Sequence, residues 1–130
     1  MDKSGIDKIC IVGGGSRDIA ILGSLMYLEE QGILQNIKKY SGTSMGAVIT
    51  SLLVINYSPT EINDTIFSQN SLIVKEPFYK VMYNLFTHYG LYSADKMYAY
   101  IEALFEKKGF SKNITFKELH EQTDKILTMT

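Results

Sequence analysis

Short apolar runs alternate along this chain with longer segments that have helical periodicity. Residues 8–12 form an apolar, β-branched run that ends at glycine, which predicts a short buried strand. Residues 18–31 repeat apolar side chains at helical spacing, and Gly32 ends the pattern. Residues 39–41 and 125–130 predict two further strands. This order predicts an α/β fold with three layers, a mainly parallel sheet flanked by helices on both faces.

The remaining helices are marked by their ends. Ser-Pro-Thr-Glu at residues 58–61 and Thr-Phe-Lys-Glu at residues 115–118 are both capping boxes, and the first also has proline at the first helical position. Residues 94–108 predict a helix that Gly109 stops. The strongly apolar residues 44–55 predict a buried helix.

The amino-acid composition is that of a globular protein and excludes several other classes. The chain has 130 residues, of which 45% are hydrophobic, so it has enough apolar surface for one globular core. Its net charge of −1 gives no electrostatic reason to expect nucleic acid as a partner. The single cysteine, Cys10, excludes an intrachain disulfide and is predicted to be a buried thiol. Without a secretory signal, a membrane span or metal-ligand spacing, we expect a cytoplasmic protein with no metal and no cofactor.

The sequence Gly-Thr-Ser-Met-Gly at residues 42–46 matches the G-x-S-x-G pattern of a nucleophile elbow. In such an elbow the serine lies in a tight turn between a strand and a helix, and the glycines keep Cβ atoms out of the crowded turn. Ser44 is therefore the predicted nucleophile, with Gly42 and Gly46 as the elbow glycines. The predicted helix that follows would direct its positive end at developing negative charge.

A glycine-rich loop follows the first predicted strand. Consecutive glycines allow backbone N–H groups to approach an oxygen closely, as an oxyanion hole requires. The predicted oxyanion-binding residues are Gly13, Gly14, Gly15 and Arg17. The alternative is a dinucleotide-binding loop, but Asp18 stands where its third glycine would be.

These two motifs, in this order and spacing, resemble the patatin-like phospholipase family. Residues 57–62, 90–93 and 114–119 are also similar to that family's sequences. The resemblance covers nearly all of residues 1–130, which it identifies as the N-terminal portion of the family's domain, truncated at the C-terminus. It implies a lipid acyl hydrolase of the phospholipase A or esterase type. The resemblance also implies catalysis by a Ser-Asp dyad and a lipid or phospholipid substrate. It further implies peripheral contact of the protein with membranes.

Two departures from the family pattern affect this interpretation. The family's aspartate lies in an Asp-Gly motif, and no aspartate in residues 1–130 is followed by glycine. We therefore expect the base to lie after residue 130, and this chain alone to be inactive and prone to self-association through an exposed sheet edge. The second departure is Asp18, where the family usually has glycine. Its carboxylate either faces the oxyanion, where it would reduce activity, or faces solvent or pairs with Arg17.

Alternatives to this reading stay open. One is a catalytically inactive relative, or a module that binds lipid or nucleotide. Another is a Ser-Asp-His order using His88 or His120 with Asp64 or Asp95, although both histidines are better interpreted as ordinary surface or core residues. The aromatic side chains between residues 67 and 92 are predicted mainly to pack in the core, and a lid or acyl-chain groove is the alternative.

Overall fold

The computed structural model describes residues 5–14, 17–67, 78–88 and 95–130. Its strands are β1 (Lys8–Ile11), β2 (Lys39–Gly42) and β3 (Ile126–Met129). Its helices are α1 (Asp18–Glu30), α2 (Met45–Val54), α3 (Pro59–Ile62), α4 (Phe78–His88), α5 (Asp95–Lys107) and α6 (Phe116–Thr123). A 3-10 turn spans Leu34–Asn36, and a π-helical turn, Asn63–Phe67, extends α3.

The three strands form one parallel sheet in the order β1-β2-β3. Ile9 lies opposite Tyr40, and Tyr40 lies opposite Leu127, so the strands are aligned without a long offset. Parallel neighbours need crossover connections, which the helices supply. The predicted α/β class with a parallel sheet is confirmed.

Local signals in the sequence set the ends of the helices. At the start of α3, the Ser58 hydroxyl accepts from the Glu61 N–H (3.1 Å) while the Glu61 carboxylate accepts from the Ser58 N–H (2.8 Å). Thr115 and Glu118 form the same capping box before α6. Glycines with φ of +68° (Gly32) and +83° (Gly109) follow the ends of α1 and α5, a conformation that favours glycine.

The core lies between α2 and the sheet. Helix α2 contacts all three strands, and Ile49, Leu52 and Val54 in it are completely buried. Because this helix is buried nearly all round, it has no polar face, as its strongly apolar sequence predicts. Helix α5 is joined to this core by a buried hydrogen bond that the Tyr57 hydroxyl donates to the Leu104 carbonyl (3.0 Å).

The C-terminal end of α2 is held by Lys125. Its ammonium group donates to the carbonyls of Leu53 (3.1 Å) and Val54 (3.3 Å) and to the side-chain oxygen of Asn56 (2.7 Å). A cation at this position interacts favourably with the negative end of the helix dipole. Burial lowers the pKa of Lys125. The contact fixes α2 at the end opposite Ser44.

Two predictions about burial are wrong. Cys10 is exposed because successive side chains of a strand point to opposite faces, and in β1 it is Ile9 and Ile11 that face the core. The aromatic residues Tyr79, Tyr83 and Phe86 of α4 are 74%, 62% and 75% exposed, so they do not pack in the core. Tyr89 and Tyr92 lie outside the described residues, as do the side chains of the remaining predicted aromatics, Phe67 and Phe78. Over the described ranges, the helices are too short or too polar to cross a membrane.

Candidate active site

The carboxyl ends of the three parallel strands meet at one edge of the sheet. The Thr43 N–H, just after β2, donates to the carbonyl of Ile11 at the end of β1 (3.1 Å). Beyond β3, the Thr130 N–H donates to the Gly42 carbonyl (3.1 Å), and the Thr43 and Thr130 hydroxyls are 2.8 Å apart. Ligands of open α/β sheets bind at this edge, and Ser44 lies there.

Ser44 has the backbone geometry of a nucleophile elbow. Its φ of 55° and ψ of −128° lie in a region that residues other than glycine rarely adopt. Such a conformation costs about 1–3 kcal/mol and persists only where its surroundings enforce it. The side chain is exposed, and α2 begins at the next residue, Met45. The hydroxyl therefore lies at the positive end of a buried helix.

The two elbow glycines allow the strand, the turn and the helix to approach closely. A Cβ on Gly42 would collide with the Gly46 carbonyl oxygen and lie 2.6 Å from the Ala47 Cα. A Cβ on Gly46 would collide with the carbonyl oxygen of Ile11 in β1. Both obstacles are backbone atoms that cannot rotate away. The G-x-S-x-G spacing is thus a steric requirement of this turn.

The glycine loop begins in direct contact with Ser44. A Cβ on Gly13 would lie 2.6 Å from the Ser44 Cβ and 3.2 Å from its Oγ. The Arg17 N–H donates to the Gly14 carbonyl (3.2 Å), which turns the chain into α1, and Arg17 itself is exposed. Gly15 lies outside the described residues. The tertiary structure therefore brings Gly13, the first residue of the predicted loop, against Ser44, which lies 31 positions later in the chain.

Asp18 lies beneath this loop rather than on the surface. It is completely buried, and its Oδ1 is 2.7 Å from the position that a Cβ on Gly14 would occupy. Among the described residues, neither carboxylate oxygen has a hydrogen-bond partner. Two readings that the sequence left open, exposure to solvent and pairing with Arg17, are therefore wrong.

The structure does not bring His120 to Ser44. The His120 Nδ1 is 3.1 Å from the carbonyl of Lys125, which immediately precedes β3. Asp124 pairs with Lys38 before β2 (2.8 Å), and that hydrogen bond lowers its pKa. Both residues thus lie at the amino ends of the strands, whereas Ser44 lies at the carboxyl ends. Asp64 and Asp95 lie in the turn after α3 and at the start of α5, and the side chain of His88 lies outside the described part of the chain.

The sequence alone does not predict that the Thr130 hydroxyl lies beside the elbow. Its position follows from the parallel order of the strands, since residues just after β2 and β3 must share an edge. No local motif marks it.

The fold and the site together define an α/β protein with a serine elbow and a glycine loop that begins against Ser44. Comparison with known families agrees, because the model of the patatin-like phospholipase family matches residues 9–129. The chain belongs to the patatin-like phospholipase family.

Similar proteins occur in viruses and bacteria. The chain is 32% identical over 123 residues to an uncharacterized protein of Acanthamoeba polyphaga mimivirus, covering 93% of this chain and 41% of the relative. It is 30% identical over 119 residues to a probable lipid hydrolase of Invertebrate iridescent virus 6, covering 92% and 40%. It is 29% identical over 104 residues to an uncharacterized protein of Bacillus subtilis, covering 75% and 35%. The chain thus spans about two fifths of these relatives or less. No solved structure matches it.

Proposed function

We propose that this chain carries the nucleophile and part of the oxyanion site of a lipid acyl hydrolase, of the phospholipase A or esterase type. The observation that carries the proposal is the strained, exposed Ser44 between the start of α2 and Gly13. A strained serine at a helix start is the geometry that nucleophilic acyl transfer uses. A lipid substrate is supported by membership of the family and by the iridescent virus relative, whose name is probable lipid hydrolase.

The proposed reaction has two steps. The Ser44 Oγ attacks the ester carbonyl carbon while its proton passes to an aspartate outside residues 1–130. N–H groups of the glycine loop and the positive end of α2 stabilise the negative oxygen of the tetrahedral intermediate. The alcohol then leaves with a proton, and water hydrolyses the acyl-enzyme to release the acid. Contributions from Gly15 and Arg17 to the oxyanion site stay predictions.

Labelling with a fluorophosphonate probe tests the nucleophile. In the longest natural form of the protein, Ser44→Ala should abolish labelling and turnover of a short-chain nitrophenyl ester. Ser24→Ala is the matched control, because Ser24 is exposed on α1 and its hydroxyl bonds only locally, to the Ala20 carbonyl (3.2 Å). Labelling that survives Ser44→Ala would contradict the proposal. Residues 1–130 alone should show almost no turnover, since a serine without its base keeps only a small residual rate.

The second candidate function is a non-catalytic module that binds lipid or nucleotide. The burial of Asp18 beside Gly14 favours it, because a carboxylate there opposes an oxyanion. Absence of nitrophenyl ester turnover in the longest natural form with Ser44 intact, together with measurable binding of phospholipid vesicles or of a dinucleotide, would support this module over the hydrolase.

We also propose that residues 1–130 by themselves self-associate. Within the described residues, β1 and β3 are the outer strands of the sheet, so each has an edge that no described strand pairs with. Unpaired strand edges favour association between copies. Sedimentation at increasing protein concentration should show a rising average mass for residues 1–130, and a constant monomer mass would contradict this expectation.

A further inference from the structure

Asp18 is a fully buried carboxylate in the first turn of α1. It is the first residue of α1, but it is not the capping residue, and no side-chain cap is formed there. It is completely buried, and no described residue donates a hydrogen bond to either oxygen. Buried carboxylates without partners are rare because they lose solvation with no compensation.

The position of this carboxylate relative to the nucleophile follows from two contacts. Gly13 lies against Ser44, and Gly14 lies against the Asp18 Oδ1. Because consecutive Cα atoms are about 3.8 Å apart, the path through the two glycines puts the carboxylate within about 13 Å of the Ser44 Oγ. Only the two glycines separate the two groups along this path.

We propose, resting on the hydrolase function above, that Asp18 weakens the oxyanion site and sets a lower rate than the fold otherwise permits. Negative charge develops beside Ser44 when its Oγ adds to a carbonyl carbon, and a carboxylate behind Gly14 repels that charge. It also offsets the positive N-terminal end of α1, which would otherwise favour the oxyanion. At an effective dielectric of about 20, two unit charges even about 13 Å apart repel enough to change an equilibrium by about tenfold.

An alkylboronic acid measures this effect without depending on a general base. The Ser44 Oγ bonds to the trigonal boron, the serine proton leaves to solvent, and the adduct is a tetrahedral anion that resembles the intermediate. Binding is measured by calorimetry on the longest natural form and on residues 1–130. Asp18→Asn preserves shape and removes the charge, and it should tighten binding about tenfold. Esterase kinetics on the longest natural form should show the same variant raising kcat with little change in KM, because the charge acts on the transition state.

The matched control is Glu30→Gln, which removes the same charge from an exposed position at the other end of α1 and should leave the affinity unchanged. Ser44→Ala should abolish binding. Asp18→Gly provides a second neutral variant, and circular dichroism checks the fold of both. Equal or weaker boronic acid binding by both folded Asp18 variants, or loss of the fold in both, would overturn the role of Asp18. Binding that survives Ser44→Ala would instead overturn the proposed nucleophile, and absence of binding in every variant would overturn both.

Discussion

Substituting alanine for Gly46 tests whether close contact between β1 and α2 shapes the elbow. Alanine is favoured over glycine in a helix by up to about 1 kcal/mol, so propensity alone predicts a gain in stability even in the first turn of α2, where Gly46 lies. At Gly46, however, the new methyl group would overlap the Ile11 carbonyl oxygen and lie 2.8 Å from the Ile11 carbonyl carbon and 3.0 Å from its Cγ2. These are mostly backbone atoms of a paired strand, so the strand and the helix must separate.

The expected magnitude follows from the two opposing effects. Overpacking in a core typically costs about 1–3 kcal/mol, and a collision with backbone belongs at the upper end of that range. After the gain in helix propensity is subtracted, we expect Gly46→Ala to lower the free energy of unfolding by about 1–2 kcal/mol. For a domain of this size, that corresponds to a fall in Tm of roughly 4–7 °C. Separation of β1 from α2 also moves Gly13 away from Ser44, so labelling by a fluorophosphonate should fall as well.

Gly23 provides the matched control. It lies in the interior of α1, is exposed, and a Cβ there would meet no atom within 4 Å. Gly23→Ala should therefore raise the free energy of unfolding by about 0.5–1 kcal/mol. Urea unfolding followed by circular dichroism measures both variants against the parent. If Gly46→Ala proves as stable as the parent, or shifts in the same direction as Gly23→Ala, the steric argument for the elbow glycines is wrong.

Two tyrosines give further predictions. Burial raises the pKa of Tyr40 to about 12, whereas a tyrosine in the unfolded chain ionises near pH 10. As the pH rises, the unfolded state therefore ionises first and is stabilised relative to the folded state. The free energy of unfolding should fall by about 2–3 kcal/mol between pH 10 and 12. Tyr40→Phe should remove that part of the alkaline loss in urea titrations, and an unchanged loss would refute it. Tyr57→Phe should cost about 1–2 kcal/mol because it leaves the buried Leu104 carbonyl without its donor. Tyr27→Phe, at an exposed position on α1, should stay within about 0.5 kcal/mol, and equal effects of the two variants would contradict the role of that hydrogen bond.

Local features of the sequence determined most of the secondary structure and the position of the serine elbow at Ser44. The capping boxes at Ser58 and Thr115 and the glycines after α1 and α5 act within a few residues, so reading them needs no knowledge of the fold. The first part of the G-x-S-x-G pattern is likewise local, because the strain at Ser44 and the crowding at Gly42 come from a single turn. Gly46 differs, because the atoms that a Cβ there would meet belong to Ile11 of β1.

Only the tertiary structure decided the contacts between distant segments. The sheet order placed the exposed Cys10 on an outer strand and the Thr130 hydroxyl beside the elbow, and no short motif encodes either position. The direction of the Asp18 side chain was decided in the same way. An acidic residue is favourable in the first turn of a helix because of the helix dipole, and this local effect does not decide whether its side chain is exposed or buried. Whether the Asp18 carboxylate is exposed or buried depends on how the glycine loop, the sheet and α1 pack together, and here that packing buries it.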